Sequence, residues 1–132
     1  MTTAGPGGLA ERYRRYNALC NAHRFDDLGE FVAEELEVNG ERQGLADYAE
    51  GLTAVVRAFP DYRWDLRHLL VDDPWVSAHF VDTGTHRGPW LGVPATGRVV
   101  RTQEFSVYRW VDGRIREVWV TADDLGTLRQ LS

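Results

Sequence analysis

The spacing of apolar residues changes at Pro60, and this change constrains the fold more than any other feature of the chain. Before Pro60, apolar residues recur every three or four positions, which indicates amphipathic helices. After it, apolar and polar residues alternate, which indicates half-buried strands. Helices followed by a meandering antiparallel sheet predict an α+β architecture. A strongly twisted sheet with helices on one face forms a cone, whose interior is a natural pocket for a small molecule.

Three helices and one short extended segment are predicted before Pro60. The helices are expected at 9 to about 23, 28–34 and 45–59, and the extended segment at 36–38, before the turn signal Asn39-Gly40. Pro60 ends the third helix because proline cannot continue one. Residues 1–7 have neither the basic nor the apolar segment of a signal peptide. They are expected to form a flexible tail ahead of one domain over 8–132.

Four strands are predicted after Pro60, at 62–70, 75–86, 99–111 and 114–121, and a weakly helical segment at 123–131. Asp112-Gly113 has the chemistry of a hairpin turn. The loop around Trp90 and Leu91 is rich in glycine and proline, and a loop of this length in a small domain is more often functional than not. On the first strand, alternation predicts one shared face for Tyr62, Trp64, Leu66, His68 and Leu70.

Composition excludes several classes of function. A net charge of −5 and a pI near 5.3 argue against binding to nucleic acid or an anionic membrane. The single cysteine, Cys20, rules out a disulfide framework and is expected to be a buried apolar residue in a helix. No apolar run is long enough to span a membrane, so a cytoplasmic protein is expected. No metal site is expected, and neither a phosphate-binding glycine motif nor a nucleophile elbow is present.

The third predicted strand carries the candidate acid/base residue. One of its faces includes Arg101 and Arg109, and the other consists of Val100, Thr102, Glu104, Ser106, Tyr108 and Trp110. We expect the second face to line the cone, because the arginines are the costliest groups to enclose. Glu104 then lies inside, where desolvation suits a general acid or base near neutral pH. Alternatively, Glu104 pairs with an arginine on the surface or at a subunit interface.

Two histidines are candidates for the same pocket. His79 and His86 are seven residues apart on one predicted strand, so they point to opposite faces unless a bulge intervenes. We favour His86 as catalytic, because it shares a face with Phe80 and Gly84 and begins the long loop. His79 is retained as a possible substrate contact. Core packing explains most of the aromatic residues, but a flat ligand would also need such rings. The other predicted substrate-binding residues are Tyr16, Trp64, Trp90, Ser106 and Tyr108.

Several blocks of the chain resemble the SnoaL-like polyketide cyclase family, and together they extend over residues 9–131. The blocks are Phe59-Pro60-Asp61, Gly84-Thr85-His86-x-Gly88-x-x-Leu91-Gly92-x-Pro94-x-Thr96-Gly97, Tyr108-Arg109-x-x-Asp112-Gly113-Arg114-Ile115-x-Glu117-x-Trp119, and 123–131. The resemblance implies a nuclear transport factor 2-like cone, usually dimeric or tetrameric. It also implies ring closure by intramolecular aldol condensation, without a cofactor and with an acid/base carboxylate.

The resemblance also implies a departure in the last strand. There the cyclases read approximately Glu-His-Trp-Asp, with the aspartate as acid/base, whereas this chain reads Glu117-Val118-Trp119-Val120. Both the histidine and the aspartate positions therefore hold valine, and the family histidine of the long strand maps to Ser106. Glu104 falls where many members have a small residue. The carboxylate is thus expected to have moved to the neighbouring strand.

The leading hypothesis is a cofactor-independent cyclase or isomerase acting on a small apolar or aromatic polyketide intermediate. Glu104 would move the proton, while His86, Tyr16 and Tyr108 would polarise a substrate oxygen. A homodimer or tetramer is expected, without nucleic acid, membrane or metal. The alternatives are a non-catalytic binding or accessory protein, which Val118 and Val120 would suit, and an epoxide-opening cyclase or hydrolase.

Overall fold

Six strands form one curved sheet, and helices cover one of its faces. In this computed structural model, which describes residues 8–132, the predicted tail at 1–7 lies outside the described residues. The strands are β1 (Val32–Val38), β2 (Glu41–Gly44), β3 (Arg63–Asp72), β4 (Trp75–Thr85), β5 (Val99–Val111) and β6 (Arg114–Ala122). The helices are α1 (Gly8–Asn21), a 3-10 helix (Phe25–Glu30), α2 (Leu45–Ala58) and α3 (Asp124–Gln130). The predicted α+β architecture is confirmed.

The strand order is β2-β1-β6-β5-β4-β3, and every neighbouring pair is antiparallel except β1 and β6, which are parallel. We call the helix-covered side the inner face and the opposite side the outer face. No helix within residues 8–132 has the length and apolar character to cross a membrane.

Helix α1 forms where the apolar stripe predicted it, and it holds the edge strand β3. Its buried side chains are Leu9, Tyr13, Tyr16 and Cys20. At its end, Asn21 Oδ1 accepts the Trp64 N–H at 2.7 Å, and Asn21 Nδ2 donates to the Trp64 carbonyl at 2.9 Å. His23 Nε2 lies 2.8 Å from the Tyr62 carbonyl oxygen. The start of β3 therefore pairs with side chains on its open edge.

The predicted helix at 28–34 is wrong. A 3-10 helix occupies Phe25–Glu30, and β1 begins at Val32, so the extended segment predicted at 36–38 is longer and pairs with the unpredicted β2. The Phe31 carbonyl accepts a hydrogen bond from the Ile115 N–H at 2.8 Å, beside the parallel pairing of β1 with β6. Because β6 is distant from β1 in the sequence, the local spacing of apolar residues does not predict this pairing. The turn at Asn39-Gly40 is confirmed, with φ of 51° and 87°.

A β-bulge divides β3 into two parts. Leu66 pairs with Phe80, but the next paired residue is His68, opposite His79, so Arg67 is the extra residue. The predicted alternation holds as far as Leu66 and is wrong beyond it, because one inserted residue reverses the faces. His68 consequently lies beside His79 on the outer face, and Leu70 is 71% exposed.

Strand β5 has the predicted bounds and the predicted inner face. Its buried side chains are Val100, Thr102, Ser106, Tyr108 and Trp110. Arg101 is exposed on the opposite face. Glu104 is flanked by Phe80 of β4 and Ala122 of β6. This register places the Glu104 carboxylate near the middle of the inner face.

Candidate functional site

A cavity with two adjoining lobes lies between the inner face of the sheet and the helices. The outer lobe has a volume of about 310 Å³, and its aromatic walls are Phe59, Tyr62, Trp64 and Trp90. The inner lobe has a volume of about 90 Å³, and its lining includes Tyr13, Tyr16, Tyr48 and Tyr108. Leu52, Trp64, Glu104 and Val120 line both lobes. Glu104 therefore stands at their junction.

Glu104 has few polar neighbours in this largely apolar cavity. Ser106 Oγ donates to Glu104 Oε2 at 3.4 Å, from two residues along the same strand. Ser106 is itself buried and does not line either lobe. The predicted position of Glu104 inside the cone is confirmed, and the surface alternative is not what the structure shows. Its carboxylate can reach a ligand in either lobe.

A second carboxyl group, Asp82, lies behind the cavity. It is fully buried on the inner face of β4, and the Tyr62 hydroxyl donates to its Oδ2 at 3.0 Å. Burial raises the pKa of Asp82 well above that of an ordinary aspartate. A hydrogen bond to Glu104 and the charge of that carboxylate raise it further, against the opposing effect of Tyr62. Burial and the neighbouring Glu104 therefore both favour the protonated form of Asp82.

Sequence reasoning missed Asp82, although a signal was present. Alternation along the strand puts Asp82 on the same face as Phe80 and Gly84, which were both assigned to the inside. A carboxyl group at such a position needs a partner, because burying it alone is costly. That requirement would have marked Asp82 as a candidate.

The acidic side chains that line the cavity, Glu104 and Asp124, have no basic counterpart in the described part of its lining. Of the described residues that line the two lobes, none is a histidine, lysine or arginine. Two ionised carboxylates side by side without a cation are strongly disfavoured. A proton on Asp82 relieves the repulsion and lets Asp82 donate a hydrogen bond to Glu104.

The inner lobe offers a set of protonated tyrosine hydroxyls. Tyr16 and Tyr48 form a hydrogen bond of 2.6 Å between their hydroxyl oxygens. Burial is the main cause that raises the pKa of Tyr16, Tyr48 and Tyr108, so each keeps its O–H near neutral pH. These groups can donate to a ligand oxygen. Tyr48, which belongs to the apolar stripe of α2, was not predicted as a site residue.

Cys20 also lies against the inner lobe, but it is suited to packing. The side chain is buried, and burial raises the pKa of its thiol to about 12. A thiolate is the nucleophilic form of cysteine, and it is scarcely populated at neutral pH under these conditions. The prediction of a buried apolar residue is confirmed.

His86 is buried beneath the long loop and does not line either lobe. Its ring packs on Phe59 with centroids 5.4 Å apart. Its Nδ1 accepts the Thr96 N–H at 3.2 Å and lies 3.0 Å from Thr96 Oγ1. Its backbone N–H donates to the Arg98 carbonyl at 2.8 Å. These bonds hold the two ends of the loop together, so the loop can place Trp90 in the wall of the outer lobe.

His79 lies on the outer face, away from the cavity. It pairs in register with Phe105, and the two rings stack with centroids 4.7 Å apart. Its Nε2 is 2.7 Å from Gln103 Oε1, and its Nδ1 is 2.9 Å from His68 Nδ1. The predicted opposition of His79 and His86 across the sheet is confirmed, and the structure brings neither ring into the cavity lining.

The loop is fixed to the end of α2 by backbone contacts. The N–H groups of Arg87 and Gly88 donate to the Ala58 carbonyl at 2.8 and 3.1 Å. A Cβ at position 88 would lie 2.6 Å from the Arg57 carbonyl oxygen, so only glycine fits without displacement. This close approach explains the glycine of the Gly84-Thr85-His86-x-Gly88 block in structural terms.

Asp61 anchors the end of β4 where the loop begins. Its Oδ1 accepts the Thr85 N–H and its Oδ2 accepts the Thr85 hydroxyl, each at 2.7 Å. The backbone hydrogen bond from Thr85, followed by the hydroxyl bond, lowers the pKa of Asp61. The Phe59-Pro60-Asp61 block therefore has a structural role at the mouth of the cone.

Helix α3 closes another side of the outer lobe. Asp123 caps its first turn, because the Asp123 carboxylate accepts the Gly126 N–H at 2.9 Å. Asp124 and Thr127 of this helix line the outer lobe. The predicted helical segment at 123–131 thus forms part of the candidate site.

Comparisons with known proteins agree with this architecture. The sequence profile of the SnoaL-like polyketide cyclases matches residues 10–131. The aklanonic acid methyl ester cyclase of Streptomyces sp. (strain C5) is 35% identical over 126 residues, which cover 89% of this chain and 78% of that protein. The nogalonic acid methyl ester cyclase of Streptomyces nogalater is 34% identical over 119 residues, covering 84% and 87%.

A solved structure shows the same fold over the full length of both chains. The crystal structure of a SnoaL-like polyketide cyclase from Agrobacterium tumefaciens str. C58 superposes with a TM-score of 0.86 at 30% identity, and it covers 100% of each chain. The predicted nuclear transport factor 2-like cone is confirmed. The chain belongs to the SnoaL-like polyketide cyclase family.

Proposed function

We propose that the protein is a cofactor-independent cyclase that closes a ring in an apolar polyketide intermediate, with Glu104 as the acid/base group. The position of Glu104 carries the proposal, because its carboxylate lines both lobes of an otherwise largely apolar cavity. The activities named for the relatives, both cyclases of polyketide acid methyl esters, support the same reaction class. The family resemblance places Val120 at the position of the cyclases' acid/base aspartate, and Val120 lines both lobes together with Glu104.

An intramolecular aldol closure requires one proton to move from carbon to oxygen. Glu104 would take a proton from the carbon beside a carbonyl group, and the enolate would form a carbon–carbon bond to a second carbonyl carbon. The alkoxide left on that second group would then take the proton back from Glu104. The product is an isomer of the substrate, so no oxidant, reductant or cofactor is consumed.

The remaining site residues would bind and orient the substrate. Tyr16 and Tyr108 would donate their hydroxyls to carbonyl oxygens and stabilise the enolate, as donors placed where negative charge develops do. Trp64 and Trp90 would hold a flat ring system in the outer lobe. Ser106 would orient Glu104, and His86 would act indirectly, by supporting the loop that carries Trp90. Nothing in this scheme uses His79.

The test is the pH–rate profile of Glu104→Gln with aklanonic and nogalonic acid methyl esters as substrates. We expect kcat to fall by about 10²–10⁴-fold, the usual contribution of a general acid/base. The control is Glu37→Gln, which removes the same charge from an exposed position on β1 and should leave kcat unchanged. Full activity in Glu104→Gln would refute the assignment. Binding of both esters by the unmodified protein, with no product at any pH, would favour the non-catalytic alternative.

The Asp82–Glu104 pair also suits a second candidate reaction, because a protonated Asp82 can keep a proton donor next to Glu104. In an epoxide-opening cyclisation, Glu104 would take the proton of an attacking hydroxyl, whose oxygen would bond to an epoxide carbon. The carbon–oxygen bond of the epoxide would break, and the new alkoxide would take a proton from the pair. Incubation with a hydroxy-epoxide of matching size distinguishes the reactions, because only this one yields a cyclic ether.

We also propose that the outer face forms a homodimer interface. Phe105, Val107 and Trp119 are 54%, 36% and 45% exposed on adjacent strands of this face. Neighbouring exposed apolar side chains of this size are typical of an interaction surface. Sedimentation of Trp119→Glu tests the proposal, since a charge there should shift the protein to monomer. Leu125→Glu is the control, because it makes an equally large change on α3 and should leave the oligomeric state unchanged.

A further inference from the structure

We propose that Asp82 is a positioning residue, which donates a hydrogen bond to Glu104 and thereby fixes that side chain at the junction of the two lobes. This inference rests on the proposed function of Glu104. The inference adds a second carboxyl group to the candidate site. Asp82 is fully buried and does not line either lobe, so it would act without contacting the substrate.

The geometry of the sheet brings the two groups together. Asp82 pairs in register with Thr102, and Glu104 pairs with Phe80. Asp82 and Glu104 are therefore diagonal neighbours on the inner face of adjacent strands, within reach of one another's side chains. The Tyr62 hydroxyl, 3.0 Å from Asp82 Oδ2, fixes the aspartate from the other side. Oδ1 of Asp82 is buried and accepts no hydrogen bond from any described donor, so it is the oxygen left to carry the proton.

The groups around Asp82 and Glu104 do not offset the negative charge of two carboxylates, so a bound proton must do so. The titratable groups that face it are Tyr62 from the segment before β3, Tyr48 from α2, Tyr108 from β5 and Cys20 from α1. Asp124 of α3 also lines the outer lobe. None of these is a cation. A protonated Asp82 donates to one oxygen of Glu104 and leaves the other oxygen free on the cavity side.

The proposed proton on Asp82 gives the site an alkaline limit. While Asp82 holds this proton, it donates to Glu104 and keeps that side chain in place. Loss of the proton in alkali removes the donor and puts a negative charge beside Glu104, which displaces it. Activity should therefore fall in alkali, and this alkaline limb should belong to the proton on Asp82.

Two substitutions at position 82 separate positioning from mere packing. Asp82→Asn keeps an N–H donor toward Glu104 but has no proton to lose, so we expect kcat within about threefold of the unmodified enzyme and no alkaline limb from this pair. Asp82→Leu removes the donor, and we expect kcat to fall by about 100-fold as Glu104 loses its orientation. An alkaline limb that is unchanged in Asp82→Asn would overturn the proposal, since a purely structural role predicts that result.

A measurement without substrate keeps this test separate from that of Glu104. In carboxyl ¹³C NMR of the labelled protein, the resonance that disappears in Asp82→Asn identifies Asp82. We expect it to stay in the protonated form between about pH 5 and pH 8, whereas an ordinary aspartate ionises near pH 4. Ordinary titration would overturn the proton on Asp82 even if Glu104 proved catalytic. Conversely, a fully active Glu104→Gln would overturn the proposed function while the NMR result still stood.

Discussion

Gly88→Ala should destabilise the protein by detaching the long loop from α2. The new Cβ would lie 2.6 Å from the Arg57 carbonyl oxygen, whereas ordinary contact begins at 3.4 Å, so one of the two must move by about 0.8 Å. The carbonyl belongs to the helix backbone and cannot rotate away. The loop must therefore retreat, and with it the N–H groups of Arg87 and Gly88 that donate to the Ala58 carbonyl.

The expected magnitude follows from those two hydrogen bonds. Each contributes about 0.5–1.5 kcal/mol net, so their loss should lower the free energy of unfolding by about 1–3 kcal/mol. Gly51→Ala in α2 is a matched control, because outside the neighbouring backbone of α2 no atom lies within 4 Å of its added Cβ. Alanine is the better helix former, and this control should raise the free energy of unfolding by about 0.5–1 kcal/mol.

Urea denaturation followed by circular dichroism measures both variants under the same conditions. Because the loop carries Trp90 into the wall of the outer lobe, Gly88→Ala should also weaken the binding of a polycyclic ester, and Gly51→Ala should not. A Gly88→Ala protein as stable as Gly51→Ala would refute the steric reasoning.

Two other substitutions test the parts that close the mouth of the cone. The lowered pKa of Asp61 means that its bonds to Thr85 stabilise the fold above about pH 4, the ordinary pKa of aspartate, and that this stability is lost as pH falls through the lower folded-state pKa. Asp61→Asn should therefore be less stable than the unmodified protein at pH 7 and should lose less stability on acidification. Thermal melts of both proteins at several pH values test this, and equal changes of melting temperature with pH would contradict it. Asp123→Ala removes the cap of α3 and should cost about 1 kcal/mol in urea denaturation, while Asp123→Asn should retain most of it.

Much of the sheet could be predicted from local sequence. The bounds of β5 and its inner face follow from strict alternation, together with the cost of enclosing Arg101. Both are properties of neighbouring residues. The same reasoning placed Glu104 in the cavity.

The features that could not be predicted depend on residues far apart in the chain. β1 is a strand because β6 lies beside it, although the spacing of Leu28, Phe31 and Val32 also fits a helix. The bulge at Arg67 reverses the faces of β3, and no glycine marks its position in the sequence. Alternation alone puts Asp82 on the inner face, but its partner Glu104 can be identified only from the register of β4 with β5.

The side-chain bonds at the start of β3 have a consequence for how the molecule behaves in a crowded solution. As the last strand of the sheet, β3 would offer free backbone N–H and C=O groups to any passing extended chain, and such strands are sites of aggregation. Asn21 occupies the N–H and the carbonyl of Trp64, and His23 occupies the carbonyl of Tyr62. The end of α1 and the residues after it thus block the addition of another strand at the start of β3, which removes this part of the edge as a site of fibril growth.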